Sequence, residues 1–388
     1  MGLVKDRVFY TYDDVTIIPN EISEIEHRSE CIPLDENGML PLFTAPMDTV
    51  ISKDNFELFN NEMINPILPR TESLDLRIEF SLKGRWAAYS LNEFESVFCN
   101  EKNKVSYDNN IKALIDVANG HMSKILSLAK AAKNIYGNDI ILMAGNIANP
   151  ETYKKYAEVG IDYCRCSVGT GACCLTTTQL GVHYPMVSLI DDIARIKRDI
   201  VLEEEIRKKN NLSRRYSSLP KIVADGGTRN YAHIIKALAL GADYVMCGSV
   251  FSKMLESAAP KYCNSQEFLE LQPIETTIDE IKNITKKEDN GWYGEYDGKE
   301  IFLGDITCRI YGMASRQGQI ALNGKKKNTV EGKSRTINVE YTMHGWVENF
   351  IDYLRSAMSY VGVRTIDDFK KYSTLIVNSQ NAVSSVNK

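Results

Sequence analysis

Eight short apolar runs, separated by segments of helical composition, restrict the possible folds of this chain more than any other feature of its sequence. The runs lie at 42–45, 66–68, 86–89, 113–116, 140–143, 163–168, 222–225 and 244–247. Between them, helical spacing of apolar residues is clearest at 123–136, 150–159 and 231–240. Eight strand–helix units predict a closed α/β barrel, the (β/α)8 or TIM barrel. An open doubly wound sheet is the alternative.

The barrel is expected to be a single domain over residues 1–388. Residues 203–218 are charged and predict an extended helix and a loop before the seventh strand. Residues 260–345 lack the barrel pattern and predict a flap or lid after the eighth strand. This flap contains a charged insertion at 275–300 and a basic tip at 323–328. A last helix at 346–360 is expected to close the barrel.

Composition excludes several classes of protein. A formal net charge of −5 gives no sign of nucleic-acid binding. No apolar run approaches the roughly 20 residues of a membrane span, and the N-terminus has no apolar secretory core. Nine cysteines without a CxxC pair indicate reduced thiols and a cytoplasmic location. Five scattered histidines argue against a histidine-based zinc site.

Glycines and polar residues follow the predicted strands, where barrel enzymes carry their active sites. Asp225, Gly226 and Gly227 follow the seventh strand, and Gly248 and Ser249 follow the eighth. Exposed backbone N–H groups at these two strand ends predict a phosphate site. Either pair taken alone is equally consistent with a tight strand–helix turn.

A thiol-bearing loop follows the sixth strand. Cys173 and Cys174 come directly after the sequence Gly-Thr-Gly-Ala at 169–172, with Thr176 two residues further on. A thiolate in a glycine-rich loop favours covalent catalysis. Residue chemistry does not choose between the two cysteines, and Thr176 is either a turn-stabilising hydroxyl or a proton-transfer group. Cys164, Cys166 and Cys247 lie within strands and are expected in the core.

Motifs along nearly the whole chain resemble those of the IMP dehydrogenase and GMP reductase family of (β/α)8 barrels. The matching segments occur in the family's order: YDDV at 12–15, APMDTV at 45–50, IDVANG at 115–120, AGN at 144–146, VGTGACCLT at 168–176, GVHYP at 181–185, DGG at 225–227, MCGS at 246–249, YGM at 311–313, EG at 331–332 and SYVG at 359–362.

The resemblance implies roles for individual residues. The nucleophile falls on Cys174, and the proton-handling pair falls on Thr176 and Glu331. Substrate contacts fall on Asp225 at the ribose, on Gly227, Gly248, Ser249 and Tyr311 at the phosphate, on Met313 and Glu331 at the purine, and on the adjoining Gly226, Gly312 and Gly332. Cofactor contacts fall on Asp116, Asn146, Gly169, Thr170, His27 and Arg28, and the carbonyls of Gly169, Gly171 and Cys174 match those that hold a monovalent cation, K⁺.

Within the family, the motifs favour the reductase, which converts GMP to IMP and ammonia with NADPH. The flap has no Arg-Tyr pair between Ser315 and Glu331, and the regulatory CBS insertion of the dehydrogenases is missing. The triplet at 331–333 and the segment at 26–30 resemble the reductase. The alternatives are an IMP dehydrogenase that uses NAD and a non-catalytic purine-nucleotide-binding barrel. The family also implies a homotetramer, with no nucleic-acid or membrane partner.

Several positions depart from the family pattern. Ala172 stands where the family has a serine, Thr170 where it has a proline, and Leu175 where it has a threonine. The basic segment that follows the second strand in the reductases is replaced by Pro-Arg-Thr-Glu-Ser at 69–73. These departures lie around the predicted nucleophile and the predicted cofactor contacts.

Overall fold

A parallel eight-stranded sheet forms the centre of the protein. The computed structural model describes residues 6–100, 107, 109–263, 274–276, 282–286, 292–296, 298–302, 306–324 and 329–379. The barrel strands are β2 (Leu42–Thr44), β3 (Ile67–Leu68), β4 (Trp86–Tyr89), β5 (Ile111–Asp116), β6 (Ile140–Ile147), β7 (Tyr163–Cys166), β8 (Lys221–Asp225) and β9 (Tyr244–Cys247). Each of the eight predicted runs overlaps one of them, and β5, β6 and β8 extend beyond their runs.

Neighbouring strands pair in the order β2-β9-β8-β7-β6-β5-β4-β3. An isolated parallel bridge between Phe43 and Asn65, which lies just before β3, joins the two ends of this order. Two backbone hydrogen bonds reinforce it, from Thr44 to the Asn65 carbonyl and from Asn65 to the Leu42 carbonyl, both 3.0 Å long. The barrel prediction is therefore confirmed, and the open doubly wound alternative is wrong.

Helices follow the strands of the barrel. Those between or directly after barrel strands are α1 (Phe56–Asn61), α2 (Leu74–Leu82), α3 (Leu91–Phe98), α4 (Ser123–Tyr136), α5 (Thr152–Glu158), α6 (Thr176–Leu180), α7 (Met186–Lys209), α8 (Tyr231–Ala239) and α9 (Ser249–Ser252). Later in the chain come α10 (Arg316–Asn323), within the flap, and then α11 (Met343–Val361) and α12 (Ile366–Tyr372). The predicted long helix before the seventh strand is the C-terminal part of α7, and a loop at 210–220 follows it.

Side chains on successive strand positions alternate between the bore of the barrel and the layer beneath the helices. On β5, Ile111, Ala113 and Ile115 pack under the helices, whereas Leu114 lies in the apolar cluster inside the bore. The middle of the bore is filled by Leu114, Met143, Val223 and Met246 together with aromatic rings. This apolar plug separates the two ends of the barrel.

Two further sheets lie in the segment that follows β9. The first has the order β11-β10-β15-β16 and the second β12-β13-β14, and every described pairing in them is antiparallel. Their strands are β10 (Lys261–Cys263), β11 (Ile274–Thr276), β12 (Lys282–Lys286), β13 (Trp292–Tyr296), β14 (Lys299–Phe302), β15 (Ile306–Tyr311) and β16 (Ser334–Asn338). Residues 325–328 of the predicted basic tip and parts of the insertion at 275–300 lie outside the described residues.

A short antiparallel pair joins the two ends of the described chain. Strand β1 (Val15–Ile18) pairs with β17 (Thr374–Val377). Among the described residues, no helix combines the length and the apolar content needed to cross a membrane.

Phe43 is the residue whose loss should cost the barrel most stability. Its ring lies 5.9 Å from Trp86, 5.9 Å from Tyr163 and 5.0 Å from Tyr244 inside the bore. Because its neighbours are held by strand pairing, Phe43→Ala should leave a cavity and lower the free energy of unfolding by about 3–5 kcal/mol. Urea denaturation measures this loss.

The control is Leu58→Ala on α1, a side chain that is 42% exposed. Its truncation should change the free energy of unfolding by less than about 1 kcal/mol. Equal losses of unfolding free energy in Phe43→Ala and Leu58→Ala would contradict a rigid apolar plug.

Candidate active site

The loop that follows β7 takes its shape from hydrogen bonds of its own. Gly169 has φ +81°, and an added Cβ there would overlap the hydroxyl of Thr177. That hydroxyl donates to the Gly169 carbonyl at 2.8 Å, and the backbone N–H of Cys174 donates to the Gly171 carbonyl at 2.9 Å. Glycine at 169 therefore permits a turn that presents the next residues at the mouth of the barrel.

The structure separates the two adjacent cysteines. Cys173 is 6% exposed and packs in a small apolar cluster with Ala259, Cys308 and Ile310. Burial raises the pKa of the Cys173 thiol and makes it a weak nucleophile at neutral pH. Cys174 is partly exposed, and its Sγ lies 3.2 Å from Thr176 Oγ1. Of the two thiols, Cys174 is the accessible one, and its catalytic role remains a prediction.

The returning flap chain pairs directly with the cysteine loop. Leu175 N–H donates to the Glu331 carbonyl at 2.8 Å, and Lys333 N–H donates to the Cys173 carbonyl at 2.9 Å. Between these bonds, Cys174 and Gly332 form an antiparallel bridge. The register puts Glu331 Oε2 3.4 Å from Thr176 Oγ1, across 155 positions of sequence. The three predicted catalytic residues thus form one chain of contacts, from thiol to hydroxyl to carboxylate.

A buried ion-pair network lies at the same end of the bore. Arg165 donates to Asp116 Oδ1 at 2.6 Å and to Asp225 Oδ2 at 2.8 Å, and the Asn146 side-chain amide also donates to Asp225. Burial by itself would lower the pKa of Arg165, but the two carboxylates outweigh it and raise the pKa. The guanidinium therefore stays charged and links the ends of β5, β7 and β8.

Sequence reasoning missed Arg165, because the run at 163–168 reads as an apolar strand. The alternation of side chains along this strand could have identified Arg165. Cys164 and Cys166 face the helices, so Tyr163 and Arg165 face the bore. A cation inside a barrel needs a counter-charge. Asp116 and Asp225, at the ends of strands on either side, were both visible in the sequence.

The predicted phosphate contacts lie around two strand ends and the end of β15. Gly226 has φ +94°, and a Cβ there would meet Thr170 Oγ1 at 2.6 Å. The C-terminal ends of β8 and β9 adjoin through the pairing of Asp225 with Met246, so Gly227, Gly248 and Ser249 follow neighbouring strands. The Tyr311 hydroxyl donates to Asp48 Oδ2 at 2.7 Å, which ties the end of β15 to the loop after β2.

Asp48 was not among the predicted site residues. Its Oδ1 is buried and has no hydrogen-bond partner among the described residues, and burial raises the pKa of its carboxyl group. Gly312 and Met313 form the turn after Tyr311, and Gly312 packs against the Cys173 carbonyl. A carboxyl oxygen left unpaired beside this turn is available to a polar group of a ligand.

A nicotinamide cofactor would meet further polar groups at the mouth. Arg70 follows β3, and its Nη1 donates to the Asp116 carbonyl at 3.3 Å. Its buried Nε has no partner within the described part of the chain. This free donor beside Asp116 fits a polar cofactor. His27 and Arg28 lie elsewhere: Arg28 pairs with Asp352 on α11 at 2.9 Å. No described contact joins them to the cysteine loop, and their role remains a prediction.

The donor set predicted for a monovalent cation consists of backbone carbonyls. The Gly169 and Gly171 carbonyls each accept one hydrogen bond within the loop and keep a second lone pair. Neutral carbonyl oxygens are ligands that K⁺ accepts, so the residues fit such an ion. Over the described residues, no group of three or more His, Cys, Asp or Glu side chains is arranged to hold a metal.

Comparisons with known proteins agree with this geometry. Residues 100–270 match a model of the IMP dehydrogenase / GMP reductase domain. Over 274 residues, the chain is 28% identical to inosine-5'-monophosphate dehydrogenase of Borreliella burgdorferi, covering 70% of this chain and 55% of that protein. It is 25% identical over 386 residues to GMP reductase of Staphylococcus carnosus, and 26% identical over 380 residues to that of Staphylococcus epidermidis. Each of these two matches covers 95% of this chain and 97% of the relative.

The chain is therefore similar to the IMP dehydrogenase / GMP reductase family. The resemblance inferred from the motifs is thereby confirmed. The chain spans about half the length of the IMP dehydrogenases it matches, 55% and 44% for the relatives from Borreliella burgdorferi and Chlorobaculum tepidum.

Arg165→Met should lower the free energy of unfolding by about 3–5 kcal/mol, because two carboxylates are left at the mouth without their cation. Arg165→Lys keeps the charge but loses the planar two-armed geometry, so an intermediate loss is expected. Urea denaturation at pH 7 measures both variants. Wild-type stability in Arg165→Met would contradict a structural role for these ion pairs.

Proposed function

We propose that this protein is a GMP reductase, which converts GMP to IMP and ammonia at the expense of NADPH. The observation that carries the proposal is the contact chain from Cys174 through Thr176 to Glu331. It supplies a nucleophile and a route for a proton, which are what the removal of an amino group from a purine ring requires.

The extent of the sequence matches supports the reductase over the dehydrogenase. Matches to proteins named GMP reductase span nearly the full length of both chains, 95% and 97%. Those to IMP dehydrogenases cover 70% and 68% of this chain. The segment between Ser315 and Glu331 also lacks the Arg-Tyr pair expected of an enzyme that activates water.

Cys174 is proposed to attack C2 of the purine. Its Sγ forms a bond to C2 while the C2–N3 π electrons move to N3, and C2 becomes tetrahedral. Loss of the amino group as ammonia then leaves a covalent thioimidate. Hydride addition to C2, followed by breakage of the C–S bond, gives IMP and the free thiolate. Overall, GMP, NADPH and two protons give IMP, NADP⁺ and ammonium.

Thr176 and Glu331 are proposed to carry the proton that ammonia needs in order to leave. An amide anion is a very poor leaving group, so the nitrogen must be protonated before the C–N bond breaks. The Thr176 hydroxyl lies between the thiol and the carboxyl group, 3.2 Å from one and 3.4 Å from the other. It can pass a proton from Glu331 toward a group bound at Cys174.

NADPH, when bound, supplies the hydride. Asp116, Asn146 and Arg70 are proposed to orient it, with Gly169 and Thr170 of the cysteine loop alongside. Arg165 acts behind them as a positioning residue, because it fixes both Asp116 and Asp225. The ion pairs hold the ribose-binding carboxylate and the cofactor-side carboxylate in fixed relation before either molecule arrives.

Other features are inferred from the family and remain proposals. They are a homotetramer in which His27 and Arg28 reach a neighbouring subunit, a K⁺ ion on the carbonyls of the cysteine loop, and a cytoplasmic location. The single-domain arrangement, with residues 260–345 serving as a flap and no regulatory domain, belongs with them.

The test of the reaction is a pair of assays on the purified protein. GMP with NADPH should consume NADPH and release one ammonia per IMP formed. IMP with NAD⁺ should give no NADH. Formation of NADH without NADPH consumption would make the protein an IMP dehydrogenase. Nucleotide binding with neither reaction would support the non-catalytic barrel.

Cys174→Ala should lower kcat about a thousandfold or more, because the covalent route is removed. Cys99→Ala is the matched control, since Cys99 is a partly buried thiol at the end of α3. It should retain wild-type kcat. Trapping of a protein–purine adduct by acid quench should succeed in the control and fail in Cys174→Ala. An adduct in Cys174→Ala would contradict the assignment.

Glu331→Gln should lower the rate of ammonia release in a single turnover by about 10²–10⁴-fold, because the proton donor is lost. GMP affinity should change far less. Glu340→Gln, on the same flap segment but paired with Lys253 at 2.7 Å, is the control. If Glu331→Gln weakened GMP binding and left the rate at saturation unchanged, Glu331 would be a binding residue only.

A further inference from the structure

A second cavity lies at the opposite end of the barrel from the cysteine loop. Its volume is about 910 Å³. The first residues of four adjacent strands, β5 to β8, line it together with nearby loops; these residues include Lys112, Ile141, Tyr163 and Lys221. We call this space the N-terminal cavity.

Two of the lysines that line it point into the bore of the barrel. Lys112 lies two residues before Leu114 on β5, and Lys221 lies two residues before Val223 on β8. Because Leu114 and Val223 belong to the apolar plug, alternation directs both lysines inward beneath it. The bottom layer of a barrel is ordinarily filled by apolar side chains.

The two lysines differ in the groups that compensate the charge of their ammonium groups. Lys221 Nζ lies 5.7 Å and 5.6 Å from the ring centroids of Tyr163 and Tyr244, and 3.2 Å from Glu36 Oε1. The side-chain ammonium of Lys112 has no hydrogen bond or ion pair within the described part of the chain, although its backbone carbonyl accepts one from Ser81 Oγ at 2.8 Å. Burial lowers the pKa of Lys112, against a weaker attraction from Asp35. The Tyr244 hydroxyl already donates to Asp35, at 2.7 Å.

The other carboxylates that line the cavity are also engaged. Asp162 accepts hydrogen bonds from Lys133 Nζ at 2.8 Å and from Leu142 N–H at 2.7 Å. Asp139 accepts one from the Tyr107 hydroxyl at 2.8 Å. Glu36 pairs with Lys221 but is 76% exposed, so water weakens that pair. A half-buried ammonium without a partner is costly, and an anionic ligand would remove that cost.

We propose that the N-terminal cavity binds a small molecule that carries a diphosphate or longer phosphate chain, held between Lys112 and Lys221. Strands β6 and β7 lie between the strands that carry the two lysines. Three steps of about 4.8 Å from strand to strand therefore separate the backbones of Lys112 and Lys221 by roughly 14 Å around the barrel. Their long stems shorten that gap, but a lone carboxylate is too small to bridge it. Phosphate groups are the usual partners of such lysine pairs. The apolar plug keeps this site separate from the cysteine loop.

Calorimetric titration of the full chain with inorganic pyrophosphate tests the proposal. Lys112→Met keeps the length of the side chain and removes its charge, and it should weaken pyrophosphate binding at least tenfold. The matched control is Lys83→Met: Lys83 also lines the cavity, but it is 54% exposed and pairs with Glu79 at 2.6 Å. The affinity of Lys83→Met for pyrophosphate should stay within twofold of that of the wild type.

A second measurement separates loss of binding from loss of structure. Ligand-free Lys112→Met should melt at or above the temperature of the wild type, because a half-buried charge that has no partner among the described residues has been removed. Pyrophosphate should raise the melting temperature of the wild type and of Lys83→Met but not that of Lys112→Met. If Lys112→Met does not fold, Lys221→Met takes its place, with the same loss of binding expected.

Two results would overturn the proposal. One is the absence of pyrophosphate binding by the wild type at millimolar concentration. The other is an affinity that Lys112→Met and Lys221→Met leave unchanged, since pyrophosphate held only at the predicted phosphate site beside Gly227 would behave in that way.

Discussion

The ion pairs of Arg165 with Asp116 and Asp225 join the ends of three barrel strands, and the mouth of the barrel depends on them. Each carboxylate lies at the last position of its strand, where the sheet opens toward solvent. Without the guanidinium, two negative charges would be left close together in a poorly solvated space. With it, the carboxylates have fixed positions on either side of β7, the strand that leads directly into the cysteine loop. The network therefore fixes the positions of the two carboxylates beside which the purine and the cofactor are proposed to bind.

The flap completes the mouth by supplying the carboxylate that lies beside Thr176. Residues 331–333 pair with the cysteine loop through backbone hydrogen bonds, so Glu331 is placed by main-chain register rather than by side-chain flexibility. The same pairing explains why two adjacent cysteines behave differently. Cys173 faces the flap sheet and fills a small apolar cluster, which fastens the loop to the flap. Cys174 faces Thr176 at the mouth.

Between its two polar ends, the bore is apolar. Three inward positions of β5 show the arrangement: Lys112 at one end, Leu114 in the middle and Asp116 at the other. Strand β8 repeats it with Lys221, Val223 and Asp225. The plug of aliphatic and aromatic side chains keeps water and charge out of the centre. Each end of the barrel can thus carry its own polar chemistry on the same set of strands.

The sequence by itself determined the strands, the helices and the resemblance to the IMP dehydrogenase / GMP reductase family. All eight barrel strands and the helix at 123–136 follow from the spacing of apolar residues, because that spacing is local and is repeated in each strand–helix unit. The motifs also pointed to Cys174, Thr176 and Glu331 through resemblance. Only the tertiary structure decided which groups touch: the burial of Cys173, the ion pairs of Arg165, and the absence of a described partner for Lys112. These depend on barrel closure and on the register of the flap, which bring together residues such as Thr176 and Glu331, 155 positions apart. No local pattern encodes contacts at that separation.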